Sequence, residues 1–216
     1  MTFLHDFLPK IELTDTIVDG KRYYDTPDGV FKSVTTIIGE KSDKSWLRDW
    51  RDRVGEEEAD RILAQAGTRG TAVHSLAERY VMNDPDWAKG AMPVNLWTFN
   101  KIKPILDEHV ELVYGIEYPL WSTTFQTAGR TDLPCVFDGV NTIGDHKTSR
   151  GRKTREDIPG YFVQATVYSL MMEERTGIKF PQVAIMIAED EGNVAKLFVD
   201  RSRNWYPEVA KIFMNK

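Results

Sequence analysis

The fold and the function are inferred chiefly from two segments of the sequence, Gly129-Arg130-Thr131-Asp132 and Gly144-Asp145-His146-Lys147-Thr148-Ser149. Both have the pattern of β-strands, and Asp138-Gly139 between them is typical of a tight hairpin turn. An antiparallel pair connected in this way can bring Asp132 and Asp145 side by side. Because side chains alternate between the faces of a strand, Asp145 and Lys147 are expected on one face and His146 on the other.

Two carboxylates and an ammonium group would then converge at one place. Paired carboxylates repel each other unless a cation lies between them, and hard oxygen ligands favour Mg²⁺ or Mn²⁺. An adjacent lysine can orient or help deprotonate an attacking water and can offset charge on a phosphoryl transition state. Taken alone, an Asp-x-Lys tripeptide is weak evidence, because surface acids beside a solvated lysine have the same pattern.

Three further patterns accompany the two aspartates. The segment Gly70-Thr71-Ala72-Val73-His74 lies in a predicted amphipathic helix, where His74 and Glu78 are four residues apart and therefore share a face. Glu117 lies in the strand that precedes Asp132, and the direction of its side chain is left open. Gln164 and Tyr168 share a face of a later helix, predicted over residues 159–176 and closed by Gly177.

The order of elements over residues 67–200 predicts an α/β fold. A helix is followed by three strands over 112–121, 127–137 and 140–148, then by a helix and a further strand. Residues 1–66 are predicted to form a hairpin around Thr26-Pro27-Asp28-Gly29 and a helical cap that belongs to the same globular unit as 67–216. Gly67-Thr68-Arg69-Gly70 is expected to separate the cap helix from the helix that carries His74.

Composition limits the possible classes of protein. The 216 residues are 41% hydrophobic, which excludes disorder of the bulk, and the net charge of -5 gives no hint of a polyanion-binding protein. Cys135, the single cysteine, cannot form an internal disulfide, and it excludes a self-contained site of four cysteines. The amino terminus lacks the pattern of a leader, and no apolar run is long enough for a membrane span. A cytoplasmic protein without a membrane partner is expected.

A basic loop follows directly after the Asp145 strand, and the positive charge there is locally dense. Its cations could hold phosphates beside a metal, whereas an ordinary solvated loop is the alternative. Ser33 and Thr35 could donate to phosphates, or could be plain strand and cap residues. The cations are Lys147, Arg150, Arg152, Lys153 and Arg155.

With these motifs in this order, the chain resembles the RecB-like branch of the PD-(D/E)xK nuclease superfamily. Within that branch it is most similar to stand-alone phage-type exonucleases and their mitochondrial genome maintenance relatives. The resemblance implies a restriction-endonuclease-like αβββαβ core, in which a mixed central sheet is flanked by helices, with the hairpin and helical cap as an amino-terminal extension. The chain differs from family members that carry an iron-sulfur cluster or are fused to a helicase, since it has neither the four cysteines nor an ATP-binding loop.

The resemblance also implies roles for individual residues. Asp132, Asp145, His74 and the backbone carbonyl of His146 would be ligands of Mg²⁺ or Mn²⁺, and Lys147 would be the catalytic lysine. Gln164 would hold Lys147 or the attacking water, Tyr168 would face the substrate backbone, and the roles of Glu78 and Glu117 stay open.

The implied function is that of a divalent-metal-dependent DNA exonuclease acting on single-stranded DNA or duplex ends in recombination, repair or replication. Such an enzyme could have a recombination or replication protein as a partner, and a phage-encoded one would work in the host cytoplasm. The alternatives are a structure-specific endonuclease with the same chemistry, or a catalytically silent nucleic-acid-binding accessory protein.

Overall fold

Two mixed β-sheets flanked by helices make up the architecture of this α/β protein. The computed structural model describes residues 2–43 and 45–214. The helices are α1 (Val34–Lys41), α2 (Ser45–Val54), α3 (Glu56–Val81), α4 (Pro93–His109), α5 (Pro159–Thr176) and α6 (Tyr206–Phe213). The strands are β1 (Leu4–His5), β2 (Thr14–Val18), β3 (Lys21–Thr26), β4 (Gly29–Ser33), β5 (Val110–Val113), β6 (Tyr118–Ser122), β7 (Thr127–Thr131), β8 (Leu133–Phe137), β9 (Val140–Ser149), β10 (Gln182–Glu189) and β11 (Lys196–Arg201).

A long bent hairpin joins the two sheets. One sheet has the strand order β1-β5-β8-β9-β10-β11 and the other has the order β2-β3-β4-β7-β6. The single strands predicted over 112–121 and 127–137 are therefore wrong, because each is divided into two strands that belong to different sheets. The bend lies at Glu117, whose φ is 46°, and at Asp132, which falls between β7 and β8. The amide of Glu117 donates a 2.9 Å hydrogen bond to the carbonyl of Asp132, so this corner is closed by its own backbone.

The amino-terminal hairpin is confirmed and is attached to the rest of the protein. Strands β3 and β4 are antiparallel, and β4 also pairs in parallel with β7 through Ser33 and Ala128. At the hairpin turn, the Asp28 carboxylate accepts a 2.6 Å hydrogen bond from the Trp121 indole and lies 3.4 Å from Arg175. These contacts fix the tip of the hairpin against the end of α5.

Helix α3 is continuous over 26 residues, so the separation expected at Gly67–Gly70 is wrong. Neither glycine has a left-handed backbone, and a helical conformation is open to both. The predicted apolar stripe of the second half is confirmed as buried, and its packing extends the helix through the glycines. The stripe consists of Val73, Leu76, Ala77, Tyr80 and Val81.

Helices cover both faces of the six-stranded sheet. Leu76 of α3 and Phe99 of α4 pack on one face with Met186 and the fully buried Cys135, and burial raises the pKa of the Cys135 thiol. Phe162 of α5 packs on the other face with Ile185. No helix among residues 2–43 and 45–214 combines the length and the apolar character needed to cross a membrane.

Candidate metal centre

The candidate site lies where β8 and β9 reach the corner between the two sheets. The antiparallel register pairs Leu133 with Gly144, and one further step on each strand places Asp132 opposite Asp145. The amide of His146 donates a 2.9 Å hydrogen bond to Asp132 Oδ2. The pairing of β8 with β9 ends at Leu133 and Gly144, so beyond this point β9 is paired on one side only, with β10.

Lys147 and Gln164 both donate to Asp145. Lys147 Nζ lies 2.6 Å from each carboxylate oxygen, with good hydrogen-bond geometry only for Oδ1. The Gln164 amide donates to the same Oδ1 at 3.2 Å from α5. The ring of Tyr161 lies 5.3 Å from Lys147 Nζ, within the range of a cation–π contact. Asp145 and Lys147 therefore share a face, as predicted.

His74 reaches the site from the opposite side, out of α3. Its Nε2 lies 2.9 Å from the carbonyl oxygen of His146, and its Nδ1 lies 3.2 Å from Glu117 Oε1. Asp132 Oδ2 is 3.5 Å from the same Nδ1. Because both ring nitrogens face acceptors, the ring satisfies them best when it carries two protons.

The charges of the site shift the pKa values of its members. Burial opposes ionisation of His74, but Asp132 and Glu117 outweigh burial and raise the pKa of His74 to about 9. Burial likewise opposes ionisation of Asp132, yet His74, His146 and Lys147 hold its pKa well below the usual range. Burial raises the pKa of Asp145, Asp132 adds repulsion, and Lys147 opposes both. Two adjacent carboxylates with opposite shifts are typical of functional sites.

The donor set fits a divalent cation. Ligand atoms of His74, Asp132 and His146 lie within 4.8 Å of one another, around a cavity of about 10 Å³. The 2.9 Å between His74 Nε2 and the His146 carbonyl is a hydrogen-bond distance, so a cation held by both atoms would replace the Nε2 proton. Asp132 supplies an oxygen donor to this group, Asp145 lies outside it, and the imidazoles favour Mn²⁺ over Mg²⁺.

The ring of His146 is a further donor that sequence reasoning missed, since only the backbone carbonyl of this residue had been considered. The ring is buried, its Nδ1 lies 3.7 Å from Asp132 Oδ2, and its Nε2 has no hydrogen-bond partner among the described residues. Strand alternation did predict that this ring faces away from Asp145. What could not be predicted was that α3 brings His74 to that face.

Other predicted site residues lie in more ordinary surroundings. Tyr168 is buried, and its hydroxyl packs closely against Gly129, so it does not face solvent. Ser33 is also buried and caps α1, where its Oγ accepts a 3.0 Å hydrogen bond from the Thr36 amide. Thr35, by contrast, is exposed.

Residues of the basic loop form ion pairs and a hydrogen bond with neighbouring acidic residues. Arg152 pairs with Glu191 at 3.1 Å, and Arg155 pairs with Asp200 at 2.7 Å. The amide of Lys153 donates a 2.6 Å hydrogen bond to Glu189. Arg150 is exposed.

Two clefts lead from the surface to His74 and Glu117. One, of about 520 Å³, runs along α3 past Gly70, Thr71 and His74, and Arg22 and Arg130 lie on its opposite wall. The other, of about 690 Å³, shares Glu78, Glu117 and Arg130 with the first and continues between β6 and residues 7–14. Glu78 is thus an exposed residue of the clefts.

Comparison with models of known protein families finds no match, and comparison with curated proteins finds none either.

Proposed function

We propose that the chain is a divalent-metal-dependent DNA nuclease with a PD-(D/E)xK core, acting as an exonuclease on single-stranded DNA or duplex ends. One observation carries the proposal. Residues from four separate elements, which sequence motifs had singled out, converge at one corner of the fold. They are His74 of α3, Asp132 before β8, Asp145 and Lys147 of β9, and Gln164 of α5.

Lys147, Asp145 and Gln164 would have different roles in the reaction. Burial opposes charge on Lys147, but Asp145 outweighs burial and raises the pKa of Lys147, so the ammonium group persists at neutral pH. A fixed cation of this kind offsets the negative charge that develops on a phosphoryl group. Gln164 keeps Asp145 in place, and the buried position of both groups limits their rearrangement during the reaction.

Asp132, Asp145, His74 and the carbonyl of His146 would hold the cation. When bound, Mg²⁺ or Mn²⁺ supplies Lewis-acid activation of the attacking water and screens the scissile phosphate. The clefts beside His74 offer a route for a strand, and Arg22 and Arg130 on their walls supply positive charge for its backbone. Asp15, Glu78 and Glu117 line the same cleft, and a bound cation would offset their charge for a phosphate backbone.

Cleavage of DNA labelled at either end, with Mn²⁺, Mg²⁺ or chelator, tests the proposal. Metal-dependent release of nucleotides is expected, while a covalently closed single-stranded circle should stay intact. Lys147→Met and Asp132→Asn should abolish cleavage and leave DNA binding. Lys211→Ala, an exposed lysine of α6, is the matched control and should cleave like the original protein.

Three outcomes would contradict parts of the proposal. Cleavage of the closed circle would make the protein an endonuclease. Metal-dependent binding of DNA without any cleavage would favour an accessory protein on a nuclease fold. Retained activity in Lys147→Met would remove the assignment of this lysine.

A further inference from the structure

Glu117 touches two candidate ligands, one with its side chain and the other with its backbone. Its carboxylate Oε1 lies 3.2 Å from His74 Nδ1, and its amide donates a 2.9 Å hydrogen bond to the carbonyl of Asp132. His74 and Asp132 are 58 positions apart in the sequence and lie on different elements. Glu117 therefore links the helix ligand to the strand ligand.

The backbone of Glu117 makes this double contact possible. Its φ of 46° lies in the left-handed region, which side-chain-bearing residues seldom adopt. Glu117 lies between β5, which ends at Val113, and β6, which begins at Tyr118, and its carboxylate reaches His74 of α3. A glycine would adopt this conformation without strain, but only a side chain at this position can reach Nδ1 of His74.

We propose that Glu117 is a positioning residue of the metal centre, which holds Nδ1 of His74 so that Nε2 is presented to the cation. A histidine ligand commonly donates its second N–H to a carboxylate, which fixes both the tautomer and the direction of the ring. Here Nδ1 lies closer to Glu117 Oε1, at 3.2 Å, than to Asp132 Oδ2, at 3.5 Å, and Nε2 faces the carbonyl of His146, which is itself a candidate ligand. The inference rests on the metal site of the proposed function, but it does not depend on the reaction catalysed there.

Mn²⁺ binding to the intact protein, measured by calorimetry without DNA, tests the role of Glu117. Glu117→Ala is expected to weaken Mn²⁺ binding about 10- to 100-fold, the range found when an outer partner of a ligand is removed. Glu117→Gln keeps an acceptor for the Nδ1–H and should lose less affinity than Glu117→Ala. Glu12→Gln, an exposed acid of the same cleft paired with Lys10, is the control and should bind Mn²⁺ like the original protein.

A fourth variant distinguishes the effect of the Glu117 side chain from the effect of its left-handed backbone. Glu117→Gly relieves the left-handed conformation and also removes the carboxylate, so it should melt no lower than Glu117→Ala and bind Mn²⁺ equally weakly. In ¹⁵N-histidine-labelled protein with Mg²⁺, His74 should carry its proton on Nδ1, and Glu117→Ala should disturb that signal.

The inference is overturned if Glu117→Ala binds Mn²⁺ as tightly as the original protein, or if the original protein binds no divalent cation. If instead the original protein binds Mn²⁺ through Glu117 and His74 but cleaves no DNA, the proposed nuclease activity fails and the inference stands.

Discussion

At the scale of single residues, the candidate site is a set of charges that are out of water and close together. His74 lies between the carboxylate of Glu117 and the carbonyl of His146, and Asp132 is near both imidazoles. In the absence of metal, a doubly protonated His74 supplies positive charge at this position. A cation that binds there takes the place of the Nε2 proton, and metal binding is then coupled to pH.

The raised pKa of His74 predicts how the stability of the metal-free protein depends on pH. The pKa of His74 is raised from an ordinary 6.5 to about 9 in the folded state. Its contribution is therefore fully present below about pH 6.5 and is lost as the pH rises through about 9, on the order of 3 kcal/mol. Urea unfolding in chelator between pH 6 and 9.5 should show this decline. His74→Gln should flatten it, and an equally steep decline in that variant would show that another group is responsible.

Gly129 gives a second prediction at this scale. A Cβ on this residue would lie 2.5 Å from the hydroxyl oxygen and 3.0 Å from a ring carbon of Tyr168. Gly129→Ala should therefore destabilise the fold by about 1–3 kcal/mol, as overpacking of a core does. Adding Tyr168→Phe should recover part of this loss, because it removes the nearest atom.

The measurement for Gly129 is the free energy of unfolding in urea. Gly151→Ala is the control, since a Cβ there meets no atom within 4 Å and should change stability by less than about 0.5 kcal/mol. A neutral Gly129→Ala would mean that Tyr168 does not pack against β7.

The placement of the two aspartates could be predicted from the sequence, whereas the burial and the ion pairs of other site residues could not. The opposition of Asp132 and Asp145 follows from strand alternation and a tight turn at Asp138-Gly139, both of which are local. The burial of Tyr168 and the pairing of Arg155 with Asp200 depend on contacts between distant parts of the chain. No periodicity encodes those contacts.

At the scale of elements, the two differences from prediction have one physical origin. In α3, glycines were interpreted as a break, but tertiary packing of the second half of the helix outweighs the weak preference of a glycine. In the hairpin, apolar alternation continues through Glu117 and Asp132, so the pattern cannot show that the strands change sheets there. Local preference is a weak guide wherever packing is strong.

Gly67 provides a test at the scale of the helix. It lies inside α3, is exposed, and has no atom within 4 Å of an added Cβ. Gly67→Ala should stabilise the protein by about 0.5–1 kcal/mol, which corresponds to a rise in melting temperature of about 1–4 °C. Gly20→Ala, at a turn with φ of 73°, should instead lower it. If Gly67→Ala lowers the melting temperature, the helix is interrupted there after all.

At the scale of the whole molecule, the two sheets hold each other in place. The hairpin of β3 and β4 continues into β7, β7 continues through Asp132 into β8, and α5 packs against strands of both sheets. The candidate metal centre lies on this junction. Its geometry therefore depends on both sheets being formed.

This interlocking predicts one cooperative unfolding transition. Far-UV circular dichroism and tryptophan fluorescence should give the same urea midpoint, as expected of a two-state domain. Asp28→Asn should lower that midpoint because the indole of Trp121 loses a charged acceptor, without splitting the transition. A separate early transition would show that residues 1–66 fold apart from the remainder.

The reactivity of Cys135 can report local unfolding of the central sheet. The thiol is fully buried on β8, three residues after Asp132, and its pKa is raised by burial. A thiol reagent reacts with the thiolate, so modification requires the central sheet to separate first. Because the sequence has one cysteine, the labelling rate in native buffer reports how much of the protein is open at equilibrium when reclosing is faster than labelling, without denaturant and without any engineered probe.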